Sequence, residues 1–590
     1  MKDYNSYISS RVLLICSIFL LFAFGISSVT EAQSTDGASR VWEDNPYGIK
    51  VTRDPSNTPL SGYNEWIASH PEKEYRVTTA KTYYNSTKDT DDRVFGIIIN
   101  ADLLPNIQSS IDQYQIDLAA DGFTSTVYAM SGGTPDTLRL FLQNRYLEGM
   151  EGAVLIGDLP VAWYEADCWD PVEHEEFPFD YFYMDLDGNW EDMDFDGKYD
   201  YHSGSIAPDI WIGRLTASPL TYNGANEADL LVNYFDKNHR YRTGEMIFED
   251  RALAFIEDDW SSSGWENDVA RAYDSVVVVI DDYQTTAPNY SIELVADYES
   301  ILICAHSSPN THWFTTPSGN WTTLNYDEIV TLNPIAGFYN MFNCSSSRYT
   351  STNFLGGWYI FTQGHGLATI GSTKTGSMLN FNLFYPYWNQ GLTYGESFAN
   401  WLTDVGNDGM AGWEICWFYG MTLNGDPTLT KSPFSAPKIA LEQLPDGIYS
   451  EEYTYTFSAS GGVLPYTWSI ANGNCPDSLT MNSETGEISG VIHEISDFTY
   501  YVQVEDASPT PYSDLIRVDF HVNYLCGDAN NDESVNIADA VFIINYVFNG
   551  GPAPVLLEAG DANCSFDTNV GDAVYIINYS FKGGPAPCCP

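Results

Sequence analysis

Between about Arg93 and Thr430, short and almost purely apolar runs alternate with amphipathic stretches, and this alternation constrains the fold more than any other feature of the chain. Residues 94–100 (VFGIIIN), 124–130, 152–158 (GAVLIGD), 209–215 (DIWIGRL), 252–257, 275–280, 300–305 (SILICA) and 335–343 (IAGFYNMFN) read as strands. A strand apolar on both faces has no side to turn to water, so it belongs in a sheet covered by helices above and below. The intervening segments supply those helices. Residues 105–120 place Ile107, Ile111, Tyr114 and Leu118 at helical spacing, and Thr134-Pro135 offers an N-cap followed by a ring that presets the first turn. The pattern predicts an α/β domain built on a parallel sheet over residues 93–433.

The rest of the 590 residues divide by composition. Residues 1–32 carry Lys2 and Arg11, then an apolar run and a Thr-Glu-Ala ending, which reads as a cleaved export signal too short for a comfortable membrane span. Cys16 lacks the small residues that precede a lipidated cysteine. Residues 33–92 form an N-terminal segment or a pro-region. Residues 436–523 lack helical periodicity and alternate apolar with polar side chains between turn signals, as a small β-sandwich does. Residues 525–590 contain two copies of one module, 527–554 and 560–587, identical at 18 of 28 positions. The mature chain is thus expected to be secreted, extracellular or at the cell surface, with nine cysteines, an odd number that leaves at least one thiol free.

With 80 acidic and 25 basic residues the net charge is −55. Binding to nucleic acid needs clustered Lys and Arg, and so does binding to anionic lipid, so both partner classes are excluded. Carboxylates suit Ca²⁺, but charge alone also serves solubility. Spacing decides between these. In the terminal repeat, Asp528, Asn530, Asp532, Ser534 and Asp539 stand at loop positions 1, 3, 5, 7 and 12, and Asp561, Asn563, Ser565, Asp567 and Asp572 repeat them. That spacing wraps oxygen ligands around one Ca²⁺ per copy, and each loop leads into an apolar helix, 537–548 and 570–581. A third stretch, Asp192, Asp194 and Asp196 before Gly197, starts a similar loop but has Ser203 at position 12, so it reads as a Ca²⁺ loop short of a full EF-hand or as a solvated acidic turn. The paired loop–helix repeat resembles dockerin domains, which implies a cohesin-type partner; the other reading is a Ca²⁺-stabilised cap without one. The sandwich segment, with Gly461-Gly462 before Pro465-Tyr466-Thr467-Trp468 and Asn482 to Gly490, looks like the Ig-like domains of large bacterial secreted proteins. Its Trp468 reads as a core residue, and the domain as a spacer or interaction module.

The catalytic candidates lie at two strand ends. His306 follows the apolar run 300–305, and Cys344 follows 335–343. In open α/β sheets functional groups collect beyond the carboxyl ends of strands, and neighbouring strands lie about 5 Å apart. A thiol beside an imidazole is the minimal cysteine-nucleophile pair. Around these residues the chain resembles the gingipain family of cysteine peptidases, which shares the caspase-type fold. Val154-Leu155-Ile156-Gly157-Asp158, Asp180-Tyr181-Phe182-Tyr183, Pro208-Asp209-Ile210-Trp211-Ile212-Gly213-Arg214 and Asn424-Gly425-Asp426-Pro427-Thr428-Leu429 carry the resemblance further. It implies Cys344 as nucleophile, His306 as base and Asp180 as the carboxylate that orients the histidine. Gly337 is a candidate for the oxyanion site. The family usually has His-Gly where this chain has His306-Ser307, which leaves a degenerate, non-catalytic binding or scaffold protein as the alternative. No carboxylate pair suits glycoside hydrolysis, and no phosphate loop is present.

Overall fold

A computed structural model describes residues 48–588 except 57, 84–92, 170–172, 408, 411, 432–436, 441–443 and 508–510. The expected export signal, residues 1–32, lies outside the described residues. Eleven strands form one mixed sheet. In chain order they are β1 (Arg76–Tyr83), β2 (Arg93–Asn100), β3 (Phe123–Ser131), β4 (Met150–Ile156), β5 (Trp211–Leu215), β6 (Arg251–Ile256), β7 (Ser275–Val279), β8 (Ser300–Cys304), β9 (Phe338–Phe342), β10 (Ala368–Ser372) and β11 (Met421–Gly425). Their order across the sheet is β1-β3-β2-β4-β5-β11-β10-β9-β8-β6-β7.

The expected parallel sheet exists as two parallel blocks. Strands β3, β2, β4, β5 and β11 run one way, and β10, β9, β8, β6 and β7 run the other. They meet at an antiparallel seam, where Ala368 to Ser372 pair with Gly425 to Met421. A short apolar strand reads the same in either direction, so periodicity alone could not have shown this reversal. Strand β1 pairs antiparallel with β3, so part of the 33–92 segment belongs to the sheet.

Both faces of the sheet are buried. Ile97 and Ile99 enter one core, which also holds Leu253, Phe255, Ile301 and Ile303. Ile98 enters the other, with Ala254, Ile256, Leu302 and Cys304. This alternation is the period-2 geometry of a strand. Helices Leu104–Ala120 and Glu227–Arg242 cover the first face. Helix Pro135–Tyr146 lies on the second through Leu138 and Leu142, and starts at Thr134, whose side chain accepts from the Thr137 N–H at 3.3 Å. The 424–429 motif has a structural use. Asp426 is wholly buried and accepts from the Tyr114 hydroxyl at 2.8 Å, Asn238 Nδ2 at 2.7 Å and Arg242 Nη2 at 2.7 Å. It ties the end of β11 to both covering helices. Burial alone would raise its carboxyl, but Arg242 outweighs this and holds it below the usual carboxylate range.

Downstream, Gly447–Ile448, Ser513–Asn523, Asp497–Glu505 and Thr467–Asn474 form one sheet, and Glu452–Thr456, Glu487–Val491 and Thr480–Met481 another. They share a core of Phe457, Trp468, Ile488, Val502 and Phe520, so Trp468 has the core role expected of it. In the terminal repeat, helices Ile537–Asn549 and Val570–Lys582 pack through Ala540, Ile543, Ala573 and Ile576. A four-residue helix, Leu557–Gly560, precedes the second loop. Disulfides join Cys168 to Cys416 and Cys564 to Cys588, and Cys304, Cys344 and Cys475 are free thiols. Among the described residues no helix is long and apolar enough to cross a membrane.

Candidate active site and calcium loops

Three neighbouring parallel strands end at the same level. Ile256 on β6 pairs with Cys304 on β8, which pairs with Phe342 on β9. The pairing continues one step past the strands, since the Glu257 N–H donates to Cys304 C=O and the Ala305 N–H to Phe342 C=O. His306 and Cys344 each come two residues after their strand, so the register brings them together. The Cys344 thiol donates to the carbonyl of Ser307 at 2.8 Å, the residue next to His306.

The same register brings a carboxylate that the sequence reading did not single out. His306 Nε2 lies 2.9 Å from Asp259 Oδ2 and 3.8 Å from Glu257 Oε2, both just beyond β6. Facing two carboxyl groups, Nε2 is a protonated nitrogen; Nδ1 lies 3.0 Å from the Arg53 N–H and 3.2 Å from the Arg53 carbonyl oxygen. Trp260 and Trp321 flank the ring, with centroids 4.9 and 5.3 Å away. Asp259 is ionised: burial opposes this, but His306 and Lys50 outweigh it and lower its carboxyl. Glu257 is pushed up to about 7 by burial, with His306 opposing. Cys344 is only 1 % exposed, and burial pushes its thiol up to about 12. In this arrangement the sulfur is a protonated donor, not yet a thiolate.

Asp180 is not at His306. It is buried in its own network, where Arg214 Nε lies 2.9 and 3.0 Å from its two carboxylate oxygens and Arg214 Nη2 2.5 Å from Oδ1. Tyr349 and Thr422 hydroxyls donate to it at 3.1 and 2.8 Å. With an Arg fork and two hydroxyls, its acceptor capacity is used in holding β5 and β11 together. Asp259 has the contact expected of Asp180. The clue was available: Glu257-Asp258-Asp259 follows an apolar strand as His306 and Cys344 do. Gly337 also falls elsewhere. It precedes β9, at the opposite end from Cys344, and its N–H donates to Glu299 C=O at 3.2 Å. Its lack of a side chain makes room for Phe248, whose ring would lie 2.9 Å from an added Cβ.

Ser307 does not crowd the site. Its hydroxyl turns into the interior, 2.8 Å from His312 Nδ1, and His312 Nε2 reaches the Tyr359 hydroxyl at 3.0 Å. Burial pushes His312 down to about 3, so it is a neutral structural group.

In the first tail loop, Asp528, Asp532 and Asp539 converge with ligand atoms within 4.8 Å of one another. Asp539 is fully buried, and Asn530 Oδ1 is buried without a hydrogen-bond partner. Three convergent carboxylates and an unsatisfied carbonyl oxygen form an all-oxygen set that fits a hard cation. The Ser534 N–H donates to Asp532. The second loop folds alike: Asp561 accepts from the Ser565 and Phe566 N–H groups, and Asp572 from those of Asn563 and Asn569. There the Ser565 hydroxyl, with Asp567 C=O as acceptor, stands in place of a carboxylate. In the central loop, Asp192, Asp194 and Asp196 also converge, and Asp192 accepts from the Phe195, Asp196 and Gly197 N–H groups. Lys198 Nζ reaches Asp196 at 2.8 Å, so one carboxylate there already has a cation.

Glu257 predicts a pH signature. Its carboxyl titrates near 7 when folded against about 4.5 when unfolded, so the folded protein keeps a proton that the unfolded chain releases. Stability therefore falls as pH rises through that window. Glu257→Gln should flatten the fall and raise stability above pH 7 by up to about 3 kcal/mol. Denaturant titrations at pH 5 and pH 8 check this; an unchanged pH dependence would contradict it.

Residues 441–519 match a family model described as "Putative Ig domain", which is the sandwich described above. None of the curated proteins compared with the chain matches it. Among solved structures the chain is similar to the Arg-specific cysteine proteinase gingipain R (RgpB), at 14 % identity and a TM-score of 0.44, covering 75 % of this chain and 100 % of that one. It is also similar to dimeric latent PorU from Porphyromonas gingivalis, at 11 % identity and a TM-score of 0.30, covering 75 % of this chain and 44 % of that one.

Proposed function

We propose that the protein is a secreted cysteine-type endopeptidase acting on protein or peptide substrates, with Cys344 as nucleophile, His306 as general base and Asp259 as the residue that positions His306. The observation that carries this reading is the shared register of β6, β8 and β9, which sets a carboxylate against the His306 imidazole and brings the Cys344 thiol to the carbonyl of the next residue, Ser307, at the strand ends. His306 Nδ1 takes the thiol proton, and the thiolate attacks the scissile carbonyl. The imidazolium, held by Asp259, returns the proton to the leaving amine. With Ser307 turned inward, the departure from His-Gly gives no steric reason to prefer the non-catalytic alternative. Cys344→Ala and His306→Ala should lower kcat/KM on a denatured protein substrate by roughly 10⁴-fold or more. Asp259→Asn should lower it by about 100-fold. Equal activity in wild type and Cys344→Ala would remove this reading.

We further propose that the tail is a Ca²⁺-dependent, dockerin-like module. The ion would be held by Asp528, Asn530, Asp532, Ser534 and Asp539, and in the second copy by Asp561, Asn563, Ser565, Asp567 and Asp572. Asp192, Asp194 and Asp196 are a third, structural Ca²⁺ loop. Support for a cohesin-type partner comes from the repeat itself, since Ile537, Val541 and Phe548 are exposed in one helix and Val570, Val574 and Phe581 at the matching places of the other. Calorimetric titration of the chelator-treated full chain should show Ca²⁺ binding. Asp539→Asn should weaken the first tail site by on the order of tenfold or more, because one ligand charge is lost. If no Ca²⁺ binds, the dockerin-like reading and its partner surface both fall.

A further inference from the structure

The large sheet has two outer strands, β1 and β7, and they are protected differently. β1 carries Arg76 and Lys81, and its register with β3 shifts between Thr79 and Lys81. Charge and a break in register are common devices that keep a sheet edge from pairing with another chain. β7 has neither. It reads Ser-Val-Val-Val-Val and is followed by Ile280, with no charged residue, no proline and an unbroken register against β6. Among the described residues no strand pairs with its outer side. Such an edge leaves a row of N–H and C=O groups free to extend the ladder. Val276 packs on one core, Val277 and Val279 on the other, while Val278 and Ile280 are exposed.

A groove of about 270 Å³ lies between the end of β7 and helix Ala287–Glu293. Val278, Ile280 and Ile292 give it apolar surface, and Asp281 and Glu293 give it two carboxylates. Asp281 accepts from the Tyr283 N–H at 2.9 Å and Glu293 from the Tyr298 hydroxyl. Among the described residues no lysine or arginine forms an ion pair with either. A long aliphatic stem with a cation at its tip matches this lining, because the stem covers apolar surface while the head meets the carboxylates. Asp274 before the strand and Asp282 after it are further acids at its two ends. These charges argue against a second copy of the chain as the occupant. Pairing β7 with another β7, in either direction, would bring carboxylates to carboxylates at both ends.

The position of this edge relates it to the candidate active site. β7 runs parallel to β6, with Val279 opposite Phe255, so its carboxyl end points the same way as the strand ends that lead to Asp259 and His306. A strand added outside β7 would lie three strand spacings, about 15 Å, from β8. About five residues of extended chain cover that distance. Resting on the peptidase reading above, we propose that β7 is a docking edge for protein substrates. An extended substrate segment rich in β-branched apolar residues adds to the sheet beside β7 through main-chain hydrogen bonds, and one of its lysine or arginine side chains enters the groove. The edge takes no part in the chemical step. It holds the substrate so that neighbouring peptide bonds meet Cys344 at a high effective concentration.

The test separates binding from cleavage. A fluorescein-labelled decapeptide of alternating valine and threonine with one central arginine is titrated into the full-length Cys344→Ala chain and followed by anisotropy. Saturable binding is expected. Adding Val278→Lys, or Glu293→Gln, which removes the charge and keeps the shape, should weaken it by roughly tenfold or more, and so should glutamate in place of the peptide's arginine. With Cys344 intact, Val278→Lys should raise KM for an unfolded protein substrate at unchanged kcat, and should leave a tetrapeptide substrate, too short to reach β7, unaffected. Absence of binding, equal binding by all variants, or the same KM change on the tetrapeptide overturns the docking edge and leaves the peptidase reading standing. Self-association of the chain that Val278→Lys abolishes also overturns it, because the edge then belongs to a second copy. If the peptide binds as expected but wild type hydrolyses neither substrate, the peptidase reading fails and the substrate role of the edge fails with it.

Discussion

The site depends on the hydrogen-bond ladder that joins β6, β8 and β9. Each of these strands is apolar on both faces and buried on both, so its register is fixed by two cores at once. A shift of one residue would exchange Leu302 and Ile303 between cores and carry His306 away from both Asp259 and Cys344. Because the strands end level, the first polar residues after them converge without any long loop having to be positioned. Trp260 and Trp321 then pack against the imidazole. This is placement by scaffold, the arrangement in which catalytic geometry is most easily held.

The same scaffold explains where the basic residues go. Of only 25 Lys and Arg, Lys198, Arg214, Lys237, Arg348 and Lys374 are buried. Arg214 holds Asp180, Arg242 holds Asp426, and Lys374 holds Glu175. Arg348 reaches the carbonyls of Thr373, Ser61 and Glu176. Such buried pairs fix geometry more than they add stability, since each ion had to leave water. The net charge of −55 is therefore chiefly a property of the surface. Only 15 of the 80 acids fall within residues 185–200 and 528–572, where their spacing bends the backbone into loops.

Local signals in the sequence were legible because they are short-range. The Thr134 cap, the strand ends before His306 and Cys344, the core role of Trp468 and the two tail helices all follow from residues within about one turn or one strand. What depends on distant partners was not. Strands β10 and β11 are interrupted by Gly, Ser, Thr and Asn and drew no strand reading, yet they form the seam that reverses the sheet. Asp180 was assigned by its motif, but Arg214, 34 residues later, captures it. Gly337 was assigned by nearness in sequence to Cys344, but a strand separates them in space. Nothing in residues 48–56 signals that they cover His306, since the contact of Arg53 with His306 spans 253 residues.

The central claim is that Cys344 is a nucleophile served by His306. The most direct measurement is to treat the protein with a peptidyl acyloxymethyl ketone and map the alkylated cysteine by mass spectrometry, in wild type and in His306→Ala. The account predicts modification at Cys344 in preference to Cys304 and Cys475, and its loss in His306→Ala. Alkylation of Cys475 alone, or of Cys344 at the same rate without His306, would contradict it.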